Sequence, residues 1–223
     1  MKKLVCAAAL AAVLAAFLMC AAACDDTAIG RYSDRISDYR YGALRADNDL
    51  FLADVISGVR EDPYLLDGSS AEGRTEYTLV TVRPYGDWQA GAESIPLSVT
   101  VGETEYELNL ARHPFKGTYS AEIADALEGD ELLALALTVG GESVTAEACV
   151  VGGVDGEYAL TAALEEAADK MKEWKDYEIY LRVSENTINA AGGWYWYVGF
   201  LHEGGTHSVL INALSGEITA VRG

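Results

Sequence analysis

Two histidines in the last part of the sequence, His202 and His207, are of a residue type that commonly binds metal ions. The segment His202-Glu203-Gly204-Gly205-Thr206-His207 is close to the helical zinc motif H-E-x-x-H, but its histidines stand five positions apart where the motif needs four. Its two glycines also disfavour a helix. A hairpin closing through residues 203–206 would instead make His202 and His207 cross-strand neighbours, with Cβ atoms about 5 Å apart. Because a zinc site needs three or four ligands, we predict no metal here; the alternative ligands would be His202 and His207.

Four aromatic residues precede the histidines. Trp194, Tyr195, Trp196 and Tyr197 would alternate faces in a strand, so that one pair packs inward and the other faces out. An exposed aromatic pair can hold a peptide or a sugar ring. The alternative is a pair packed against the rest of the chain. We take these four residues as the candidate partner-binding residues.

The acidic residues follow no catalytic pattern. The densest group is Asp125, Glu128, Asp130 and Glu131. General acid–base catalysis needs two carboxylates in one partly dry site, and calcium needs a convergent loop of oxygens. Neither spacing is present, and no nucleophile, phosphate-loop or dinucleotide motif occurs. The sequence therefore predicts no catalytic residues, no cofactor and no enzyme, and a solvated acidic face at this group.

The charge and the cysteines restrict the class of protein. A formal net charge of −19 disfavours binding to nucleic acid and to anionic lipid headgroups. Cys149 lies among Ala, Glu and Val in a strand-like run, without the base and positive surroundings of a reactive thiol. We expect Cys149 to be a buried structural thiol.

The first residues predict export and membrane attachment. A cationic start and an apolar run from Leu4 to Met19 are typical of a signal peptide, here residues 1–23. Small residues then precede Cys24, and this pattern resembles the lipobox of bacterial lipoproteins, which implies lipidation of that cysteine. The alternative is an ordinary signal peptide cut after Ala23. Loss of the signal with Lys2 and Lys3 takes the formal charge from −19 to −21, so attachment would depend on acyl chains.

Residues 24–152 are expected to form a tether and a β-sandwich. Residues 24–48 are polar, rich in Tyr, Arg and Asp, and without a sustained period, as in a lipid-attached tether. Seven short alternating runs follow in residues 49–152, with turn signals at Gly102-Glu103 and Gly140-Gly141. This pattern predicts an antiparallel sandwich of immunoglobulin-like architecture.

The last third of the sequence predicts a second domain. Glycines at 152, 153 and 156 mark a boundary, and the apolar residues of Glu157–Trp174 follow one helix face. Three strand-like runs come next: Tyr177–Val183, Trp194–Leu201, and Ser208–Ile211 continued by Glu217–Val221. We expect residues 157–223 to form an α+β module, with one helix packed on a three-stranded antiparallel sheet.

The phrase Asn212-Ala213-Leu214-Ser215-Gly216-Glu217-Ile218, after an aromatic strand, resembles the end of the PepSY domain of bacterial secreted proteins and lipoproteins. Asn212 can fold its side chain onto the backbone ahead, and Gly216 can supply a positive φ. Asn212 and Ser215 stand where Asp and Thr are usual in the family. The resemblance implies an extracytoplasmic, non-catalytic module of a kind for which binding or inhibition of peptidases has been proposed.

These features together predict a lipid-anchored protein on the extracytoplasmic face of the cell membrane that acts by binding. The first expectation is a protein or peptide partner, such as a secreted peptidase that the module modulates. This function requires an uncovered sheet edge or aromatic face. The alternative is a small-ligand or glycan receptor, which requires a concave apolar pocket between the domains.

Overall fold

The computed structural model describes residues 27–65, 67–185 and 193–223. The expected signal peptide and Cys24 lie outside these residues. The described part contains two α-helices, a short 3-10 turn at Gly129–Leu132 and twelve strands. The helices are α1 (Ala28–Arg31) and α2 (Gly156–Met171). The strands are β1 (Ile36–Asp47), β2 (Phe51–Asp62), β3 (Gly73–Pro84), β4 (Ser94–Val101), β5 (Thr104–Arg112), β6 (Tyr119–Ile123), β7 (Ala134–Val139), β8 (Glu142–Ala148), β9 (Tyr177–Glu185), β10 (Trp194–His202), β11 (Gly205–Asn212) and β12 (Ile218–Arg222).

Eight of the strands form a closed antiparallel barrel. Their order is β1-β2-β3-β6-β5-β4-β7-β8, and β8 pairs back onto β1 through Leu44↔Ala148 and Arg45↔Glu147. The predicted immunoglobulin-like sandwich is therefore wrong. The runs expected as sandwich strands do form β2–β8, but β1 joins their first and last members into one closed sheet.

The barrel interior is filled by apolar side chains that alternate along the strands. Every strand from β1 to β8 contributes to this core, which buries Leu44, Phe51, Val80, Leu97 and Leu110 among others. Alternate residues of a strand point to opposite faces, so the same period-2 pattern leaves the polar residues outside. The ring of Trp88 packs against Phe51, with ring centroids 4.9 Å apart.

Strand β1 has different partners in its two halves. Its second half closes the barrel on β8, whereas residues Ile36 to Arg40 pair in parallel with Ile179 to Arg182 of β9. The sheet then continues through β10, β11 and β12. The expectation of a separate module with a three-stranded sheet is also wrong, because four further strands extend the barrel sheet itself. Strand β1 comes from the segment for which the sequence predicted a tether.

A buried carboxylate lies where β1 meets β9. Asp38 is 1% exposed, and its Oδ1 accepts a hydrogen bond from Tyr77 Oη at 3.0 Å. Its Oδ2 lies 3.0 Å from Arg40 Nε and 2.7 Å from Arg182 Nε. The Arg182 N–H is angled away from hydrogen-bond geometry, so that contact is an ion pair only. Asp38 thus connects β1 with both β3 and β9.

Helix α2 covers one face of the extension. Its small and apolar residues, including Leu160, Ala163 and Ala167, are fully buried against β9, β10 and β11. The helix begins at an N-cap, since Asp155 Oδ1 accepts from the Tyr158 amide at 2.8 Å. Glu157 in its first turn binds the Ile29 amide at 2.9 Å and also the Ala28 amide, and so attaches α1 to α2.

Candidate functional site

Strand β12 is the free edge of the sheet. Among the strands that the structure describes, it alone pairs with a single neighbour, β11. Its backbone N–H and C=O groups on the other side have no strand partner, and such a row can pair with an added chain. The strand has only five residues, and the ladder to β11 is irregular between Leu210 and Ile211. Both features limit uncontrolled pairing at this edge.

The turn that leads into β12 is held by its own side chains. Asn212 Oδ1 accepts hydrogen bonds from the amides of Leu214 at 2.9 Å and Ser215 at 3.0 Å. Gly216 has a φ of 75°, in the left-handed region that glycine tolerates. Both details match what the residue types predicted. The turn therefore fixes where β12 starts and how it approaches β11.

The four aromatic residues of β10 divide between two faces. Trp196 is buried beneath α2, and its Nε1 donates to the Val154 carbonyl at 2.9 Å. Trp194 is half-buried, with the Arg45 guanidinium 5.4 Å from its ring centroid. Tyr195 and Tyr197 are half-buried on the opposite face of the strand. The pair available on the outer face is thus the tyrosines.

The loop between β2 and β3 folds toward this outer face. Its Gly68 amide donates to Glu178 Oε1 at 3.0 Å, and its Tyr64 hydroxyl contacts the Arg182 guanidinium. Glu178 is fully buried and also accepts from Tyr180 Oη at 2.6 Å. From β2, the buried Glu61 carboxylate accepts from two further amides of the same loop. These buried carboxylates, which the sequence reasoning did not single out, hold the loop in place.

The two histidines do not lie opposite each other in the hairpin. The turn between β10 and β11 is tighter than predicted, so His202 lies opposite Gly205 and His207 lies opposite Phe200. The expected cross-strand pairing of His202 with His207 is therefore wrong. His202 stacks on Trp174 with ring centroids 4.6 Å apart. Over the described ranges, no three His, Cys, Asp or Glu side chains are placed to hold a metal ion.

His207 is buried in the layer between α2 and the sheet. It is 1% exposed, and its Nδ1 lies 3.2 Å from Lys170 Nζ. With the lysine donating to Nδ1, the proton of a neutral ring stays on Nε2, which has no partner among the described residues. Burial, and then the charge of Lys170, lowers the pKa of His207. The ring is therefore held neutral.

The acidic group is on the rim of the barrel, between β6 and β7. Asp125 accepts from the Tyr106 hydroxyl at 3.1 Å, and Glu131 accepts from the Glu128 amide at 3.3 Å. These carboxylates bind nearby groups of the same rim. Cys149 is half-buried, and burial raises the pKa of its thiol to about 12, so it carries no thiolate at neutral pH.

A cavity of about 330 Å³ opens where β1 leaves β9 and turns to β8. Its walls are mainly apolar and include Tyr39, Tyr41, Val150, Val183 and Trp196. Burial, and then the Asp155 carboxylate, raises the pKa of Tyr39 to about 12. Both tyrosines lie in the segment that was predicted to be a tether. The cavity was not predicted, because it forms only when β1 joins the barrel to the extension.

Within residues 27–65, 67–185 and 193–223, no helix is both long and apolar enough to cross a membrane. No protein-family model, curated protein sequence or solved structure matches the chain.

Proposed function

We propose that this protein is an exported, lipid-anchored binding protein that takes up an extended segment of a protein or peptide partner along β12. The observation that carries the proposal is the free edge of β12, the one described strand with a single neighbour. Adding a strand to such an edge is a general mode of peptide recognition, in which main-chain hydrogen bonds supply affinity and neighbouring side chains supply specificity.

The sequence supports the location of this activity. The apolar run before Cys24 is typical of a cleaved signal peptide, and lipidation of that cysteine would hold the protein on the extracytoplasmic face of the membrane. The acidic chain, with a formal net charge of −19, disfavours direct adsorption to anionic headgroups. We propose that acyl chains on Cys24 provide the attachment.

The resemblance of Asn212–Ile218 to the PepSY motif supports a protein partner. The turn formed by this phrase sets the start of β12, so the motif and the free edge belong to the same part of the molecule. In this proposal the segment that binds along β12 belongs to a secreted protein. The resemblance suggests a peptidase as the class of that protein.

The test is amide hydrogen exchange on the chain from residue 24 onward, with Cys24→Ser to keep it soluble. Peptides selected from a random ten-residue library by binding to this chain are then added back. We expect the amides of β12 to become protected, because an added strand supplies their missing acceptors. Binding that leaves β12 exchange unchanged, or a library that yields no binder, would contradict strand addition.

A second candidate function is favoured by the cavity between the barrel and α2. Its volume of about 330 Å³ and its aromatic walls suit a small apolar ligand. Trp196 lies in the wall, so binding of N-phenyl-1-naphthylamine should quench tryptophan fluorescence. Ala148→Leu, which enlarges another wall residue, should reduce that quenching. Equal quenching in the parent and in Ala148→Leu would show that the probe binds outside this cavity.

A further inference from the structure

We infer that β12 selects a segment in which basic residues alternate with small or β-branched ones, the basic side chains lying toward α2. This inference rests on the strand addition proposed above and adds the chemistry of the partner.

The helix side of β12 presents apolar surface. Ile218 pairs with Ile211, and Val221 pairs with Val209. Both partners are fully buried beneath α2, and residues directly opposite each other in an antiparallel pair share a face. Ile218 and Val221 therefore lie on the α2 side of the sheet, yet they stay 42% and 39% exposed. They form an apolar floor beside the free edge.

Helix α2 forms a wall along this floor. Tyr158, Ala162, Glu166 and Lys170 are spaced four apart, so they follow one line on the helix. At one end, the Tyr158 ring lies so close to Gly216 that a Cβ there would come within 2.8 Å of it. At the other end, Lys170 Nζ donates to the Gly223 carbonyl at 2.8 Å. These two contacts bracket β12, so the line between them runs beside the strand.

The net charge on and next to this wall is negative. Lys172 pairs with Asp169 at 2.6 Å. Lys170 keeps its positive charge, because its partners Gly223 and His207 are uncharged, but the two carboxylates of Glu165 and Glu166 outnumber it. Among the described residues, Glu165 and Glu166 have no cation within ion-pair distance, and both are exposed. Apolar floor and acidic wall together fit a lysine or arginine, whose aliphatic stem packs on apolar surface while its charged end reaches the carboxylates.

The opposite face of β12 has different chemistry. Arg222 pairs with Ser208 and Ala220 pairs with Leu210, so both lie on the side away from α2. A strand added at the edge points alternate residues to the two faces. A basic residue on the outer face would meet the like charge of Arg222, whereas small or β-branched residues fit beside Ala220. This difference between the two faces is why we expect basic residues to alternate with small or β-branched residues in the partner segment.

The test compares three synthetic ten-residue peptides, alternating Lys-Val, Ser-Val and Glu-Val, in about 0.15 M salt, where distant charges are screened. Affinity is measured by fluorescence anisotropy and the site by amide exchange at β12. We expect the Lys-Val peptide to bind tightest and to protect β12. Glu166→Lys should weaken its binding about fivefold, since an exposed charge pair is lost and a repulsive one replaces it.

Glu107→Lys is the matched control, because it makes the same charge change at an exposed residue of β5 in the barrel. It should alter the affinity less than about twofold. Equal effects of the two variants, or β12 protection without preference for the basic peptide, would overturn the inference and leave strand addition standing. Protection of β12 by none of the three peptides would overturn the inference, whereas strand addition is tested separately by the library-selected peptides. Protection that grows with protein concentration alone would identify a second copy as the occupant and overturn the inference.

Discussion

His207 shows how a single buried side chain can couple stability to pH. The imidazole lies within the apolar layer under α2, with Lys170 as its nearest cation. The charges of Glu166 and His202 also act on it, the first favouring and the second opposing protonation. Burial has the largest effect and lowers the pKa of His207 below its ordinary value of 6.5. The folded protein therefore resists taking up a proton that the unfolded chain accepts.

We predict that His207 reduces the free energy of unfolding as the pH falls below about 6.5. Above that value both states hold a neutral ring, so this residue contributes no pH dependence. Below it only the unfolded state is protonated, until the pH reaches the lowered pKa of the folded state. Urea unfolding at pH 7.5, 6.5 and 5.5 should show a steeper loss for the parent than for His207→Phe. The same loss in both proteins would show that His207 titrates alike in the two states.

At the scale of elements, β1 has the least predictable sequence. Its register shifts between Ile36 and Asp38 and again between Arg40 and Gly42. Each shift breaks the alternation of apolar and polar residues by which a strand is recognised. Its buried residues also include Ser37 and Asp38, which are polar types usually found at the surface. A local pattern could not reveal a strand whose partners lie far along the chain.

The other strands were predictable because their turns are local. Gly102 has a φ of 57°, Gly140 of 59° and Gly141 of 90°, so each turn needs the glycine that marks it in the sequence. The turn at Asn212–Ile218 at the candidate site was predictable for the same reason. The free edge at β12 was not, because it depends on the order of all twelve described strands. The sequence also left open which pair of β10 aromatic residues faces α2.

Asp38 should be essential to the junction between β1 and β9. Among the described residues, Asp38 is the one carboxylate paired with Arg40 and Arg182, and Asp38→Asn removes its charge while both guanidinium groups remain largely covered. We expect the free energy of unfolding to fall by about 3 kcal/mol, as for other broken buried ion pairs. Urea unfolding of the parent and of Asp38→Asn, monitored by circular dichroism, measures this difference in free energy.

Asp54→Asn is the control for that substitution. Asp54 pairs with Arg45 at 2.7 Å, but Arg45 keeps a second partner in Glu185 at 2.9 Å. The loss should be about 1 kcal/mol, because Asp54 is partly exposed whereas Asp38 is buried, and because Arg45 keeps its second carboxylate. Equal losses in the two variants would mean that the buried carboxylate of Asp38 contributes no more to stability than the partly exposed carboxylate of Asp54.

At the scale of the whole molecule, the barrel and the extension share one sheet. Strand β1 gives Leu44 to the barrel core and Ile36 and Ala43 to the core beneath α2. Separating β1 from its neighbours would therefore expose both the barrel core and the core beneath α2. The continuous sheet favours a single cooperative unfolding transition.

Leu44→Ala tests this coupling. The residue is fully buried in the barrel core, so the substitution should cost about 2–5 kcal/mol. Of the four tryptophans in the sequence, only Trp88 lies in the barrel, and a Trp88→Phe background leaves the other three as reporters of the extension. We expect their unfolding midpoint to fall with that of the barrel, measured by fluorescence and circular dichroism in urea.

The matched control is Leu214→Ala, which truncates a leucine that is 63% exposed. It should leave both midpoints nearly unchanged. If Leu44→Ala lowered the circular dichroism midpoint alone, the extension would be an independently folding unit, and the coupling through β1 would be wrong.

The position of β1 also affects how fast the chain can fold. Ser37 in the first described strand contacts Ile179, 142 residues further along. Contacts that are so distant in sequence must wait for a long loop to close, and proteins dominated by them fold on the order of milliseconds to seconds. Until β8 and β9 arrive, that side of β1 has no partner. Its charged residues Asp38, Arg40, Arg45 and Asp47 then discourage pairing with other chains, as charges do on exposed edges.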